Sequence, residues 1–234
     1  MLRQRPECWR SLASIAKAPA FAGARRRTFL AALFGALLLG AAPAEPPVVR
    51  VRLDTSAGPI LLALDARRAP ATTANFLAYV DDGRFDGTTF YRATRRKRDP
   101  RTGFIQGGIR MDARRILPTF PLETTAKTGI RHLDATISMA RGAGAAAAGG
   151  NFFLTVGPAP SMDARGEFRG YAAFGRVVGG MATVRRILSL PTGGGRDAMK
   201  GQMILKPIRI VRARRIDGTP KPTGRPKVWK LFER

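Results

Sequence analysis

The chain has almost none of the side chains on which most bond-breaking catalysis depends. Its 234 residues include one cysteine, Cys8, and one histidine, His132. Cys8 lies in a segment read below as a cleaved leader, so the mature chain would carry no disulfide, no thiol nucleophile and no cysteine-bound metal. A lone histidine excludes a multi-histidine zinc site, and only His132 could serve as the base of a hydrolytic triad. Acid is scarce too: 16 Asp and Glu stand against 41 Lys and Arg, a formal charge of +25. What remains for chemistry is arginine, amide, hydroxyl and backbone groups, with few carboxylates. Such a charge attracts polyanions. The cations run along the whole chain and cluster only at residues 25–27, residues 95–101 and the C-terminal tail. No zinc-finger, helix-turn-helix or RNA-stacking pattern accompanies them. Weak polyanion contacts through the basic loop and tail are expected, and a specific nucleic-acid site is not.

Long apolar runs are missing as well. The run from Phe29 to Gly40 falls short of the ~20 residues that span a bilayer. Arg25, Arg26 and Arg27 precede it, and Ala42-Pro43-Ala44 follows with the small-x-small pattern of a signal-peptidase site. Residues 1–44 therefore read as a signal peptide, leaving no membrane span after cleavage and implying a periplasmic or otherwise exported protein. Arg26-Arg27-x-Phe29-Leu30 resembles a twin-arginine signal; an ordinary secretory leader and a retained anchor are the alternatives.

What is present from Val48 onward is alternation of period two. Val49, Val51 and Leu53, then Ile60, Leu62 and Leu64, flank a turn at residues 56–58 and predict a β-hairpin with one buried face. Pro70 opens a helical pattern through Asp82, closed by Gly83. Further strands are expected over residues 136–140, 151–156, 171–178 and 204–216, with a second helix over residues 181–190. Residues 116–129 and 141–150 read as loops, the latter too small-sided to pack a core. The resulting architecture is a single mainly β domain over residues 45–216, a closed antiparallel barrel or sandwich with helices at its ends. Residues 217–234, rich in proline and cations, read as a loosely ordered tail.

Candidate chemistry concentrates between Phe85 and Gly108. A strand-like run ends in Arg92, a basic insertion covers residues 94–102, and Phe104-Ile105-Gln106 follows. If the two runs pair, Arg92 and Gln106 meet on one face beside aromatic rings. A guanidinium beside an amide over an apolar floor suits recognition of a peptide carbonyl.

Collected in order, Thr73-Ala74-Asn75-Phe76, Phe90-Tyr91-Arg92, Gly103 to Gly108, Ile137-Ser138-Met139-Ala140, Phe152-Phe153-Leu154 and Phe174-Gly175-Arg176-Val177 make the chain resemble a cyclophilin-type peptidyl-prolyl cis-trans isomerase. The resemblance implies an eight-stranded antiparallel barrel capped by two α-helices. It places Arg92 on the family's catalytic arginine and Gln106 on its substrate-binding glutamine. Phe153 falls on the floor of the proline pocket and Met162 on its wall; Phe104 stands near the family's apolar pair before the glutamine. Ala140 would offer backbone contact to a peptide, and Tyr171 takes a position often held by histidine. The implied activity is isomerisation of X-Pro bonds in exported proteins during folding, with proline-containing polypeptides as partners. It needs no cofactor or metal, because no bond is broken. A proline-peptide-binding chaperone or assembly module of the same fold is the alternative.

The chain departs from the family at four places. The insertion at residues 94–102 is strongly basic, Arg141 replaces an asparagine, Ser161 stands where a pocket tryptophan is common, and residues 164–170 lengthen a loop. His132 lies outside the motifs and reads as a surface or turn residue.

Overall fold

The computed structural model describes residues 47–142 and 147–226; the proposed signal peptide lies outside them. The expected hairpin forms from β1 (Val48–Thr55) and β2 (Gly58–Asp65). Val49, Val51, Leu53, Ile60, Leu62 and Leu64 point inward and are fully buried, while Arg50 is exposed. The next element, α1 (Pro70–Asp81), begins with a proline whose missing N–H costs nothing at that position. No residue of its own caps it. Instead Glu123 accepts the Thr72 N–H at 2.7 Å, the Thr72 hydroxyl at 2.6 Å and the Ala71 N–H at 3.2 Å. A carboxylate is favoured there by the unsatisfied amides of the helix start.

The chain continues through β3 (Thr89–Arg95), β4 (Gly103–Gly108), β5 (Phe120–Pro121), the single turn α2 (Thr125–Thr128), β6 (Thr136–Met139) and β7 (Ala147–Ala148). It closes with β8 (Asn151–Val156), β9 (Ala172–Gly179), α3 (Met181–Leu188), β10 (Thr192–Gly193) and β11 (Met203–Arg215). Hydrogen bonding runs β1-β2-β9-β6-β8-β4-β3-β11, and β11 returns to β1. Every pairing is antiparallel, so the sheet is a closed eight-stranded barrel with no open edge between its first and last strands. The short β10 adds to β11 alongside the barrel, and β5 pairs with β7 as a small separate ribbon. That ribbon draws on both stretches read as featureless loops, and Ala148 is buried in it.

Rings fill the interior. Phe76 of α1 meets Phe85, Phe152 and Phe174 with centroids 5.0–5.3 Å apart, and Phe90 meets Phe152 at 5.7 Å. Each buried ring contributes on the order of 1.5–3 kcal/mol, so the cluster is a substantial part of a core completed by the aliphatic residues of the strands. From α3, Val184, Ile187 and Leu188 are buried against the barrel.

The end of α1 carries Asp81 and Asp82, charges the helix dipole disfavours there. Each meets a buried arginine: Arg215 Nε reaches Asp81 at 2.9 Å, and Arg84 Nε reaches Asp82 at 2.8 Å. The segment after β11 adds further donors. Lys221 N–H reaches Asp81 at 2.8 Å, Thr223 N–H reaches Asp82 at 2.7 Å, and the Arg225 carbonyl accepts from Arg84 at 3.0 Å. Asp217 adds a salt bridge to Arg50 at 2.8 Å. The stretch expected to be a loose tail is thus fastened by Asp81 and Asp82 as far as Thr223, and by Arg84 as far as Arg225.

Candidate active site

The site is a transverse row on the outside of the barrel. Cross-strand register sets Met203 against Arg92, Arg92 against Gln106, Gln106 against Phe153 and Phe153 against Ser138. Directly opposed residues share a face, so five strands present one continuous line of side chains. A bulge makes this line possible. Phe90 pairs with Gly107 yet Arg92 pairs with Gln106, so Tyr91 is an extra residue in β3. Without it, period two would send Arg92 inward after Phe90.

Arg92 is held from several sides. Its Nη1 donates to Gln106 Oε1 at 2.9 Å. Its Nε and Nη2 donate to Gln202 Oε1 at 2.9 and 2.7 Å, and Nη2 also reaches the Ala198 carbonyl at 3.2 Å. The guanidinium lies over the Phe104 ring, 5.2 Å from its centroid. Burial pushes its pKa down from the ordinary arginine value, although arginine stays charged at any physiological pH.

Gln106 is oriented from its other end. Its Nε2 donates to the Tyr91 hydroxyl at 2.8 Å, which fixes the amide with oxygen toward Arg92. Burial raises the Tyr91 pKa, keeping the phenol protonated to reach Asn151 Oδ1 at 3.3 Å. Asn151 in turn accepts the Arg110 N–H at 2.7 Å and donates to the Arg110 carbonyl at 2.8 Å. This clamp holds Arg110 at φ 55°, a left-handed conformation uncommon for arginine.

The apolar part gathers around Phe153. Phe104 lies 5.4 Å from it, and Tyr171 meets it edge-on at 5.4 Å. Met162 ends a helical turn, Pro160–Met162, and its carbonyl accepts the Tyr171 N–H at 3.1 Å. Gly170 sits at φ 64° against that turn; a Cβ there would fall 2.6 Å from the Met162 oxygen, so only glycine fits. Ala140 donates its N–H to the Asn151 carbonyl at 2.8 Å, so any backbone contact to a peptide falls to its own carbonyl. Arg141 donates to the Gly170 carbonyl at 2.7 Å and lies over the Tyr171 ring at 5.3 Å. Arg92, Gln106, Phe104, Phe153, Met162, Tyr171 and Ala140 therefore share one outer surface. Beside them a cavity of about 370 Å³ is lined by Tyr91, Gln106, Arg110, Ala140, Met199 and Met203, among others.

Several residues of this surface escape a reading by sequence. Met199 and Gln202 arrive from the turn before β11, and Met203 from its first position. His132 is not a surface residue but 1% exposed. Its ring stacks beneath Phe153, 5.8 Å away at 11°. Nδ1 lies 2.6 Å from Asp163 Oδ1 and Nε2 lies 2.9 Å from Ser138 Oγ. Asp163 Oδ1 already accepts the His132 backbone N–H at 3.0 Å and accepts from Nδ1 as well, which leaves Nε2 to accept from Ser138. Ser138 is fully buried, which keeps this Ser–His–Asp line away from any substrate.

The basic insertion divides between structure and solvent. Arg95 donates to the Leu188 and Leu190 carbonyls at 3.3 and 3.1 Å, satisfying the end of α3, and Arg96 donates to the Pro158 carbonyl. Lys97, Arg98 and Arg101 remain exposed, Arg101 paired with Asp99 at 3.0 Å. Among the described residues no three His, Cys, Asp or Glu side chains converge as a metal site would require.

Comparison with known proteins agrees with this geometry. The family model described as cyclophilin type peptidyl-prolyl cis-trans isomerase/CLD matches residues 50–215. Peptidyl-prolyl cis-trans isomerase A of Dickeya dadantii is 38% identical over 144 residues, 61% of this chain and 72% of that protein. A peptidyl-prolyl cis-trans isomerase of Streptomyces antibioticus is 36% identical over 150 residues, 62% of this chain and 87% of that protein. The fold resembles the crystal structure of a Cryptosporidium parvum cyclophilin type isomerase, with TM-score 0.58 and 21% identity, covering 74% of this chain and 99% of that one. A second structure of that protein, in the presence of the dipeptide Ala-Pro, gives 0.57 and 20%, covering 72% and 99%.

Proposed function

The chain belongs to the cyclophilin-type peptidyl-prolyl cis-trans isomerases, and from that premise we propose how its residues carry the reaction. It is an isomerase of X-Pro peptide bonds. Rotation about such a bond faces a barrier of ~18–20 kcal/mol and takes tens to hundreds of seconds unaided. No bond breaks, so the enzyme needs to favour the twisted amide over both planar isomers. On twisting, the prolyl nitrogen regains a localised lone pair and becomes an acceptor.

Arg92 is the donor to that nitrogen. The observation that carries this reading is its hydrogen-bond count: a guanidinium has five N–H groups, and the bonds to Gln106, Gln202 and Ala198 engage both Nη2–H, the Nε–H and one Nη1–H. One Nη1–H remains outside these bonds, on the nitrogen that Gln106 holds. Phe153, Met162 and Phe104 bury the proline ring while the acyl side turns, and Tyr171 borders them. Gln106 and the Ala140 carbonyl hold the peptide strand. Burying one such ring is worth ~1.5–3 kcal/mol, enough to select proline without binding it tightly. Proline-containing polypeptides exported from the cytoplasm are the substrates, a reading supported by the leader-like residues 1–44. The test is a prolyl-isomerisation assay of residues 45–234 beside Arg92→Ala. Near-normal turnover in the variant would remove Arg92 from the mechanism, and a mature N-terminus at Met1 in the cytoplasm would remove the export reading.

A further inference from the structure

We propose that Gln202 is a positioning residue for Arg92, an inference that rests on the reading of Arg92 as the donor to the prolyl nitrogen. The Gln202 side-chain oxygen accepts three donors: Arg92 Nε at 2.9 Å, Arg92 Nη2 at 2.7 Å and the Thr94 hydroxyl at 2.6 Å. Its Nε2 donates to the Ala198 carbonyl at 3.1 Å, the same oxygen that accepts from Arg92 Nη2. The amide is thus fixed in orientation at both ends. Its backbone is fixed as well, because the Gln202 carbonyl accepts the Ala93 N–H at 3.0 Å and its own N–H reaches the Met199 carbonyl at 3.0 Å.

The consequence follows from the geometry of the guanidinium. Without Gln202 it would keep only Gln106 at Nη1 and the longer bond from Nη2 to the Ala198 carbonyl at 3.2 Å, with Nε unheld and the plane able to tilt. Gln202 grips the opposite edge, Nε and Nη2 together, so the plane has two anchors on opposite sides. The free Nη1–H is the one group neither anchor uses. The turn that carries Gln202 is built to stay in place. Gly195 sits at φ 79°, where a Cβ would fall 2.3 Å from the Met199 oxygen, and the Met199 N–H bonds the Arg196 carbonyl at 2.9 Å. Positioning of a catalytic group to within an ångström is worth up to two orders of magnitude in rate.

The experiment compares Gln202→Met, Gln202→Asn and Gln202→Glu with Arg92→Ala in residues 45–234. Loss of the acceptor in Gln202→Met, or its withdrawal by one methylene in Gln202→Asn, should lower kcat by on the order of 10- to 100-fold with KM within a factor of about two. Gln202→Glu keeps an oxygen at the same reach and should restore most of kcat. The Arg92 Nε–H proton resonance should lose its protection from exchange in the Met and Asn variants and keep it in the Glu variant. Gln202→Met added to Arg92→Ala should slow the enzyme no further. If Arg92→Ala retains turnover, the Arg92 reading falls and this one with it. If Arg92→Ala is slow while both Gln202→Met and Gln202→Asn turn over normally, the positioning role alone is overturned. An additive loss in the double variant overturns it too, as would slow Met and Asn variants whose Arg92 Nε–H stays protected. The Asn variant carries the same reading if Gln202→Met fails to fold.

Discussion

The His132 imidazole lies flat beneath the Phe153 ring, anchored to Asp163 on one side and Ser138 on the other. The floor of the proposed proline pocket therefore rests on a titratable group. Asp163 follows Met162 directly, so the same anchor ties the pocket wall to the pocket floor. Because the His132 backbone N–H also reaches Asp163 Oδ1 at 3.0 Å, that carboxylate holds residue 132 at two points.

Burial lowers the His132 pKa, with the Asp163 hydrogen bond pulling the other way. The unfolded chain takes up this proton near pH ~6.5, while the folded chain resists it. Stability from this residue is present above that pH and is lost as pH falls below it. Urea midpoints of the wild type should therefore drop more steeply from about pH 7 to 5 than those of His132→Asn, which has no titrating ring. Parallel curves would mean that His132 titrates alike in both states.

Arg92→Ala should reduce turnover by on the order of 10²–10³, the loss of one preorganised charged donor. Arg92→Lys should recover little, since an ammonium cannot bridge Gln106 and Gln202 with a planar fork. Phe153→Ala should act differently, raising KM and costing about 3 kcal/mol of stability through the emptied floor. Steady-state kinetics beside circular dichroism separates the two. A Phe153→Ala enzyme with unchanged KM would mean that its ring does not seat the proline.

Arg84→Met should destabilise the fold by about 3–5 kcal/mol, because it leaves Asp82 buried without its cation. Truncation after residue 218 removes the donors of Lys221 and Thr223 and should lower the melting temperature measurably. An unchanged melting point would show that the fastened segment contributes nothing net.

The basic insertion divides by role. Arg95→Ala should cost about 1–2 kcal/mol by exposing the carbonyls at the end of α3. Lys97 and Arg98, exposed beside the site, should favour peptides with Asp or Glu flanking the proline; Lys97→Ala and Arg98→Ala should leave stability alone and weaken that preference, which fades as salt shrinks the Debye length below ~8–10 Å. Identical salt profiles for acidic and neutral peptides would make those side chains bystanders.

The barrel and the row Arg92, Gln106 and Phe153 were legible because they depend on period and order. Alternation marks each strand, and the motifs follow one another at spacings the fold requires. What stayed hidden depends on contacts made at a distance. The Tyr91 bulge leaves no trace in composition, though it decides which way Arg92 points. His132 sits in a polar stretch, and its partner Asp163 is 31 residues away. Arg84 looks like any cation until Asp82 and the Arg225 carbonyl enclose it. Gln202 belongs to a glycine-rich turn whose path is set only when β11 docks beside β3.

The seam of the barrel joins Val51 to Arg215, strands from opposite ends of the domain. Closing it requires contact between residues separated by nearly the whole domain, the kind of topology that folds slowly. During synthesis β1 emerges long before its partner and presents one bare edge until β11 arrives. The Arg92 and Met203 pairing lies on the same late strand. The Met203 end of the row and the neighbouring Gln202 anchor of Arg92 are therefore added with the last strand, so a nascent chain that stops short of residue 202 would hold Arg92 beside Gln106 alone, and isomerase activity would report completion of the fold itself.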